Sequence, residues 1–281
     1  MAQALFGAGV TPGQIERARL LPPLEQRMLL SHVLGWSRIE LITRAEEALS
    51  GTEAAQLEAL FARRLAGEPM AYLLGTREFY GLPLRVTPAV LIPRPDTELL
   101  VELALERLPP GGAVLDLGTG SGAIALALAH TRPDAKVTAC DLSADALAVA
   151  RDNAAALALD HVAFAQGDWY GALEPGALYH LIVSNPPYIV AGDAHLSQGD
   201  LRFEPLGALT DHGDGLSAYR VLTAGAAAHL HGGGWLLMEH GYDQADAVRA
   251  LLMQEGFTEV ASWRDLAGIE RVSGGRLPTR G

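Results

Sequence analysis

The chain has 281 residues, 49% of them hydrophobic, with a formal net charge of −12 and a pI near 5.1. That length suits one large domain or a large and a small one, each with its own core. The acidity excludes a broad phosphate-binding face. The first 75 residues hold seven Arg and eight Glu, net −1, which leaves −11 for the rest. A single cysteine, Cys140, excludes an internal disulfide and fits a reducing compartment. With no basic leader and no apolar run long enough for a membrane span, a cytoplasmic protein is expected.

Residues 1–75 read as helices only. Thr11-Pro12-Gly13-Gln14 and Thr43-Arg44-Ala45-Glu46 both fit the capping-box pattern, so helices are expected to start there. Pro22 and Pro23 open another, with Leu24, Met28, Leu29, Val33 and Leu34 as its apolar stripe. Thr52 begins a fourth, with Leu57, Leu60, Phe61 and Leu65 inward and Gly67 as its C-cap. This helical domain carries no constellation of chemically competent residues. It stands either for positioning and partner binding or for a plain structural cap.

From Thr76 the apolar period changes to two, and residues 76–90 read as a β-hairpin linker. The remainder, 91–281, begins with Ile92-Pro93-Arg94-Pro95-Asp96-Thr97-Glu98. Two prolines hold this stretch extended, and Asp96 or Thr97 can cap the helix that follows. Arg94 is either a linker surface residue or a positioned contact near a cleft.

After a Pro-Pro-Gly-Gly turn, Ala113 to Leu117 reads as a buried strand and Gly118-Thr119-Gly120-Ser121-Gly122 as a glycine loop. An apolar helix follows from Ala123. Strand, loop and helix in this order let backbone approach a ligand at the helix N-terminus. A second strand ends at Asp141, 19 residues after Gly122, where an acid can bind ribose hydroxyls. The loop also satisfies a dinucleotide fingerprint, but Asp116 just before it would repel a pyrophosphate and suits a cationic sulfonium ligand. S-adenosylmethionine is therefore the expected cofactor. At the end of a third strand, Asp168 and Trp169 can hold an adenine amino group and pack on its ring, or simply close a turn.

A fourth strand runs into Asn185-Pro186-Pro187-Tyr188. The prolines end the strand, fix φ and give no N–H, so a rigid corner with free carbonyls results. Asn185 adds a side-chain acceptor and Tyr188 a flat ring, a set able to take both hydrogens of a planar NH2 group. In a parallel αβα sheet the glycine loop, Asp141, Asp168 and Asn185 converge at one edge. The glycine-rich stretch between Tyr188 and Tyr219 is too long for an idle connection and reads as a lid or substrate-binding insertion. A helix over 217–231 and three strands, at 235–239, 258–263 and 269–273, complete a seven-stranded sheet.

The chain resembles the protein-(glutamine-N5) methyltransferases of peptide chain release factors, the HemK/PrmC family, over nearly its whole length. The resemblance is carried by Ile92 to Glu98, Val114 to Gly122, Ser184 to Ile189, Arg202-Phe203-Glu204-Pro205-Leu206 and Glu239-His240-Gly241. It implies a class I S-adenosylmethionine-dependent methyltransferase fold, Rossmann-like, behind the helical bundle and hairpin. It also implies methylation of the glutamine in the Gly-Gly-Gln loop of class 1 release factors, with S-adenosylhomocysteine as product and no metal. The cofactor residues expected are Asp116, Gly118, Thr119, Gly120, Ser121, Gly122, Asp141, Asp168, Trp169 and Asn185. Catalysis and acceptor binding fall to Asn185, Pro186, Pro187 and Tyr188, with Arg94 on the acceptor side. A monomer without nucleic-acid or membrane contact is expected. The alternative is a nucleic-acid amino methyltransferase, for which the same tetrapeptide would serve but the basic surface is missing.

Overall fold

In the computed structural model, which describes residues 5–7 and 9–279, the chain divides where its apolar period changes. Met1–Gly75 and Thr76–Gly281 form separate compact units. Among the described residues the first holds five helices: α1 (Pro12–Ala18), α2 (Pro23–Leu34), α3 (Arg38–Thr43), α4 (Gly51–Leu65) and α5 (Met70–Leu74). The Thr11–Gln14 capping box forms as expected, with Gln14 N donating to Thr11 Oγ1 and Thr11 N to Gln14 Oε1. The Thr43–Glu46 box does not form. Thr43 is the last residue of α3, and its hydroxyl donates back to the Ile39 carbonyl. The serine boxes Ser37–Glu40 and Ser50–Glu53 start α3 and α4 instead.

The apolar stripe expected on α2 is also displaced. Leu29 and Leu30 are buried, but Leu24 and Met28 are exposed, because the helix turns Gln26 inward. There the Gln26 amide accepts from Leu20 N and donates to Glu16 O. Leu65 on α4 is likewise exposed, and Leu57 and Phe61 meet Ile15, Leu29 and Leu30 in the core of this unit.

The second unit opens with an antiparallel hairpin, β1 (Thr76–Phe79) and β2 (Leu82–Arg85). Then come α6 (Glu98–Arg107), β3 (Ala113–Leu117), α7 (Ala123–Thr131), β4 (Lys136–Asp141), α8 (Ala144–Ala156) and β5 (Ala163–Gln166). The chain continues through β6 (Tyr179–Ser184), α9 (Ser217–His229), β7 (Leu230–Glu239), α10 (Ala245–Gln254), β8 (Thr258–Arg264) and β9 (Glu270–Arg276). The seven strands from β3 onward form one sheet in the order β5-β4-β3-β6-β7-β9-β8, parallel except for β9, which runs antiparallel to β7 and β8.

Alternate residues of the central strands face opposite sides. Val114, Leu181 and Val183 pack under α6 and α7, whereas Leu115, Leu117, Ile182 and Leu236 pack under α9 and α10. Strand β7 starts five residues before the expected Trp235 and absorbs the glycines 232–234, with a register shift between Tyr179 and Leu181 on its partner. The order turns back between β3 and β6, which opens a crevice at their C-terminal ends.

Candidate active site

At that crevice lies a cavity of about 330 Å³. Its floor is the loop between β3 and α7, where Gly118, Gly120 and Gly122 take φ of +75°, +56° and +85°, values that glycine adopts without Cβ strain. Gly118 N and Thr119 N both donate to Cys140 O at 2.9 Å, which ties the loop to the end of β4. Gly118, Thr119, Gly120 and Ser121 line the cavity, while Gly122 faces away, against Leu126 and Ala150.

Asp141, at the end of β4, also lines the cavity. One carboxylate oxygen accepts from Gly120 N at 2.8 Å and the other from Ser143 N at 2.9 Å. A carboxylate has further lone pairs to offer, so the acid is fixed in place without being used up. Asp168 and Trp169 line the same wall. Trp169 has φ +46°, a conformation costly for a bulky residue, and its ring lies over Gly118.

Asp116, expected among the cofactor residues, lies beneath the loop. It is fully buried, absent from the cavity wall, and accepts from Thr119 Oγ1 at 2.6 Å and from Ala125 N at 3.3 Å. Burial pushes its carboxyl up to about 7, only partly opposed by these two donors, and Oδ1 has no partner among the described residues. Position 116 sits one residue inside the strand end, under the loop, which it holds through Thr119.

The proline corner follows β6. Asn185 and Pro187 line the cavity, whereas Pro186 is buried outside its wall. Tyr188 also lies outside it, packed against the apolar cluster under α9 and α10, where burial raises its phenol to about 12. The corner is held from behind. Gln244 donates to Tyr188 O at 3.0 Å and Gly215 O at 3.1 Å, and accepts from Gly241 N at 2.9 Å. Gly215, at φ +76°, passes so close that a Cβ would stand 2.5 Å from Tyr188 O. Asn185 Nδ2 donates to Thr97 Oγ1 at 3.2 Å.

Arg94 lines the cavity and pairs with Glu204, whose side chain is fully buried and also accepts from Ile92 N at 3.0 Å. The residues just after Glu204, namely Pro205, Gly207 and Ala208, form part of the wall. The long 189–216 segment is thus attached to the arginine-proline stretch.

Several positions had no part in the site assigned from sequence, and Thr97, expected as a candidate helix cap, makes no side-chain cap hydrogen bond. Asn153 on α8 is buried and joins three segments, donating to Ser121 O and Arg85 O and accepting from Arg85 N. It anchors the glycine loop and the hairpin together. A polar residue on the Ala146, Val149, Ala150 face of a helix is the signal that marks it. Thr97, Glu239 and Gln244 gave weaker signals, because their partners are remote in sequence. Glu239 ends β7 and is buried facing Thr97 and Asn185, and burial raises its carboxyl to about 7. Among the described residues no group of three or more His, Cys, Asp or Glu is placed to hold a metal ion, and no helix is long and apolar enough to cross a membrane.

A sheet of this order, with a glycine loop at its switch point and an acid ending the next strand, defines a class I S-adenosylmethionine-dependent methyltransferase fold. A methyltransferase from Pyrococcus furiosus shares that fold, with a TM-score of 0.55 and 20% identity, covering 78% of this chain and 98% of that one. Residues 95–200 match the family model described as methyltransferase small domain, and residues 15–75 the PrmC N-terminal domain. The release factor glutamine methyltransferase of Burkholderia pseudomallei is 56% identical over 275 residues, covering 95% of this chain and 96% of the relative. That of Bordetella pertussis is 60% identical over 259 residues, covering 92% and 96%. The chain belongs to the release factor glutamine methyltransferase family.

Proposed function

We propose that this chain transfers a methyl group from S-adenosylmethionine to the side-chain amide nitrogen of the glutamine in the Gly-Gly-Gln loop of a class 1 peptide chain release factor. The observation that carries this reading is that Asn185 and Pro187 stand on the wall of the same cavity as the glycine loop and Asp141. A planar amide held at the corner then lies beside a nucleoside-type ligand held by the loop. The names and extent of the relatives support the same reading.

The residues fit S-adenosylmethionine. The backbone of Gly118 to Ser121 gives close approach, Asp141 has acceptor capacity for ribose hydroxyls, and Asp168 with Trp169 offers an acceptor and a flat face for adenine. When bound, the cofactor supplies an electrophilic methyl group on a cationic sulfur.

The acceptor is a poor nucleophile, because an amide nitrogen shares its lone pair with the carbonyl. The chain's contribution is positioning. The Asn185 side-chain carbonyl on the cavity wall accepts an N–H of the acceptor amide and aims the nitrogen, and its dipole stabilises positive charge growing there. Tyr188 and Gln244 keep the corner rigid from behind. The proton leaves to water after transfer. Arg94, fixed by Glu204, stands on the acceptor side.

Residues 1–75 serve to dock the release factor, 76–90 form the connecting hairpin and 91–281 carry the reaction. The exposed apolar side chains of Leu24, Ile39 and Ile42 support a docking role for the helices. The enzyme acts as a cytoplasmic monomer, without metal or nucleic acid. The test is transfer of labelled methyl from S-adenosylmethionine to a purified release factor, beside the same factor with its Gly-Gly-Gln glutamine replaced by alanine and beside a nucleic-acid control. Label on the unaltered factor alone is expected, and label on nucleic acid alone would overturn the reading.

A further inference from the structure

Thr97, Asn185 and Glu239 come from three separate stretches and meet at one wall of the cavity, which Thr97 and Asn185 line. Thr97 ends the turn Pro95–Thr97 ahead of α6. Ser184 of β6 pairs with Met238 of β7, so Asn185 and Glu239 each stand one residue beyond that rung of adjacent parallel strands. Thr97 and Glu239 are almost wholly buried.

An asparagine side chain is ambivalent. Its two ends have nearly the same shape and opposite hydrogen-bonding character. For Asn185 to accept an N–H from an acceptor amide, Oδ1 must face the cavity. With the amide turned over, its NH2 would meet the NH2 of the substrate. Something must sort the two orientations, and a threonine alone does not, because a hydroxyl both donates and accepts. An ionised carboxylate only accepts. Facing both Thr97 and Asn185, the Glu239 carboxylate draws the Thr97 hydroxyl hydrogen and the Asn185 amide hydrogens toward itself. Thr97 Oγ1 is then left as an acceptor, and Asn185 Nδ2 donates to it.

We propose that Thr97 and Glu239 are positioning residues that lock the Asn185 amide with Nδ2 inward and Oδ1 toward the acceptor glutamine. The inference rests on the reading of the proline corner given above. Neither residue needs to touch the reacting atoms. Glu239 Oε2 has no hydrogen-bond partner among the described residues, an arrangement that packing alone does not call for.

The lock depends on ionisation. Burial raises the Glu239 carboxyl to about 7, Asp96 pushes it in the same direction, and Thr97, Arg271 and Asn185 pull it down. The Tyr188 and Tyr219 phenols also face it and stay neutral. Arg271 shares its charge with Asp96 and Asp265, so it neutralises Glu239 only in part. Once protonated, Glu239 can donate, and the preference for one Asn185 orientation is lost.

The experiment measures methyl transfer to a purified release factor, together with cofactor affinity, for wild type, Thr97→Val, Thr97→Ser and Glu239→Gln across pH 6 to 9. Thr97→Val is expected to lower kcat about tenfold or more, the scale of a misaligned acceptor. Cofactor affinity stays within about twofold, and Thr97→Ser recovers most of the loss, since it restores the hydroxyl. Wild-type kcat should fall as pH drops through about 7, and Glu239→Gln should be slow and flat over that range. Wild-type kcat in Thr97→Val and Glu239→Gln at every pH would overturn the proposal, as would a loss confined to cofactor affinity or a Thr97→Ser variant as impaired as Thr97→Val. A wild-type protein inert toward the release factor while binding the cofactor would instead overturn the reading of the reaction, and this inference with it.

Discussion

The Glu204 carboxylate is buried against the Arg94 guanidinium, an ion pair that joins positions 110 residues apart along the chain. Glu204 also accepts from Ile92 N, and the residues just after it form part of the cavity wall. Removing the carboxylate leaves a cation and a buried N–H without their partner. Because Arg94 keeps about a third of its side chain in solvent, the cost is put at about 2–3 kcal/mol, below that of a fully buried pair. Glu204→Ala is therefore expected to melt several degrees lower and to bind the cofactor more weakly. Thermal unfolding with and without S-adenosylmethionine measures both, and an unchanged melting temperature would show that the pair does not hold the segment.

Asp141 is the side chain whose loss should be felt in binding rather than in turnover. Its carboxylate fixes Gly120 N and Ser143 N while facing the cavity. Asp141→Ala removes a charged acceptor for the ligand and frees the loop, a loss of about 1.5–3 kcal/mol, or roughly tenfold to a hundredfold in Kd. Isothermal titration with the cofactor decides, and an unaltered Kd would rule out the assigned role.

Asn185 gives the converse expectation. Asn185→Ala should reduce kcat by about two orders of magnitude or more, the scale seen when a transition-state hydrogen-bonding group is removed. Cofactor affinity should change little, because the loop and the strand-end acids remain. Single-turnover transfer to a release factor separates the two, and full turnover in the variant would remove the amide from the mechanism.

The parts of the site legible in the sequence are those encoded locally. The glycine loop and Asp141 lie within one βαβ unit, and the prolines after β6 declare their corner by their own backbone chemistry. For Asp116, sequence shows that an acid adjoins the loop but not whether it points into the crevice or under it. One step along a strand reverses that direction. The direction of the Tyr188 ring is equally hidden, since it is the turn after the prolines that carries the ring to the apolar cluster under α9 and α10. Thr97, Asn153, Glu204, Glu239 and Gln244 work through partners remote in sequence, and only the assembled sheet brings those pairs together. In the helical unit the Thr43 box does not form although Glu46 stands three residues on, because the helix started by the Ser37 box already includes Thr43 as its last residue.

The two buried carboxyls, Asp116 and Glu239, make stability depend on pH in a direction opposite to that of most acids. Burial raises both, from 3.8 and 4.5 to about 7. Between the lower and the higher values the folded protein keeps a proton that the unfolded chain has lost. Stability from these groups is thus fully present below about pH 4 and is lost as pH rises through about 7. His180 and His240, whose values are lowered by burial, oppose the trend below pH 6.5, since they favour the neutral form that the unfolded chain gives up there. Comparison of variants removes that background. Asp116→Asn cannot ionise, so the stability difference between wild type and Asp116→Asn should shift against the wild type by on the order of 2–4 kcal/mol between pH 5 and pH 8. Melting temperatures of the two proteins over that range should therefore converge or cross as pH rises. Parallel curves would show that Asp116 is ionised throughout and that its hydrogen bonds from Thr119 and Ala125 outweigh its burial.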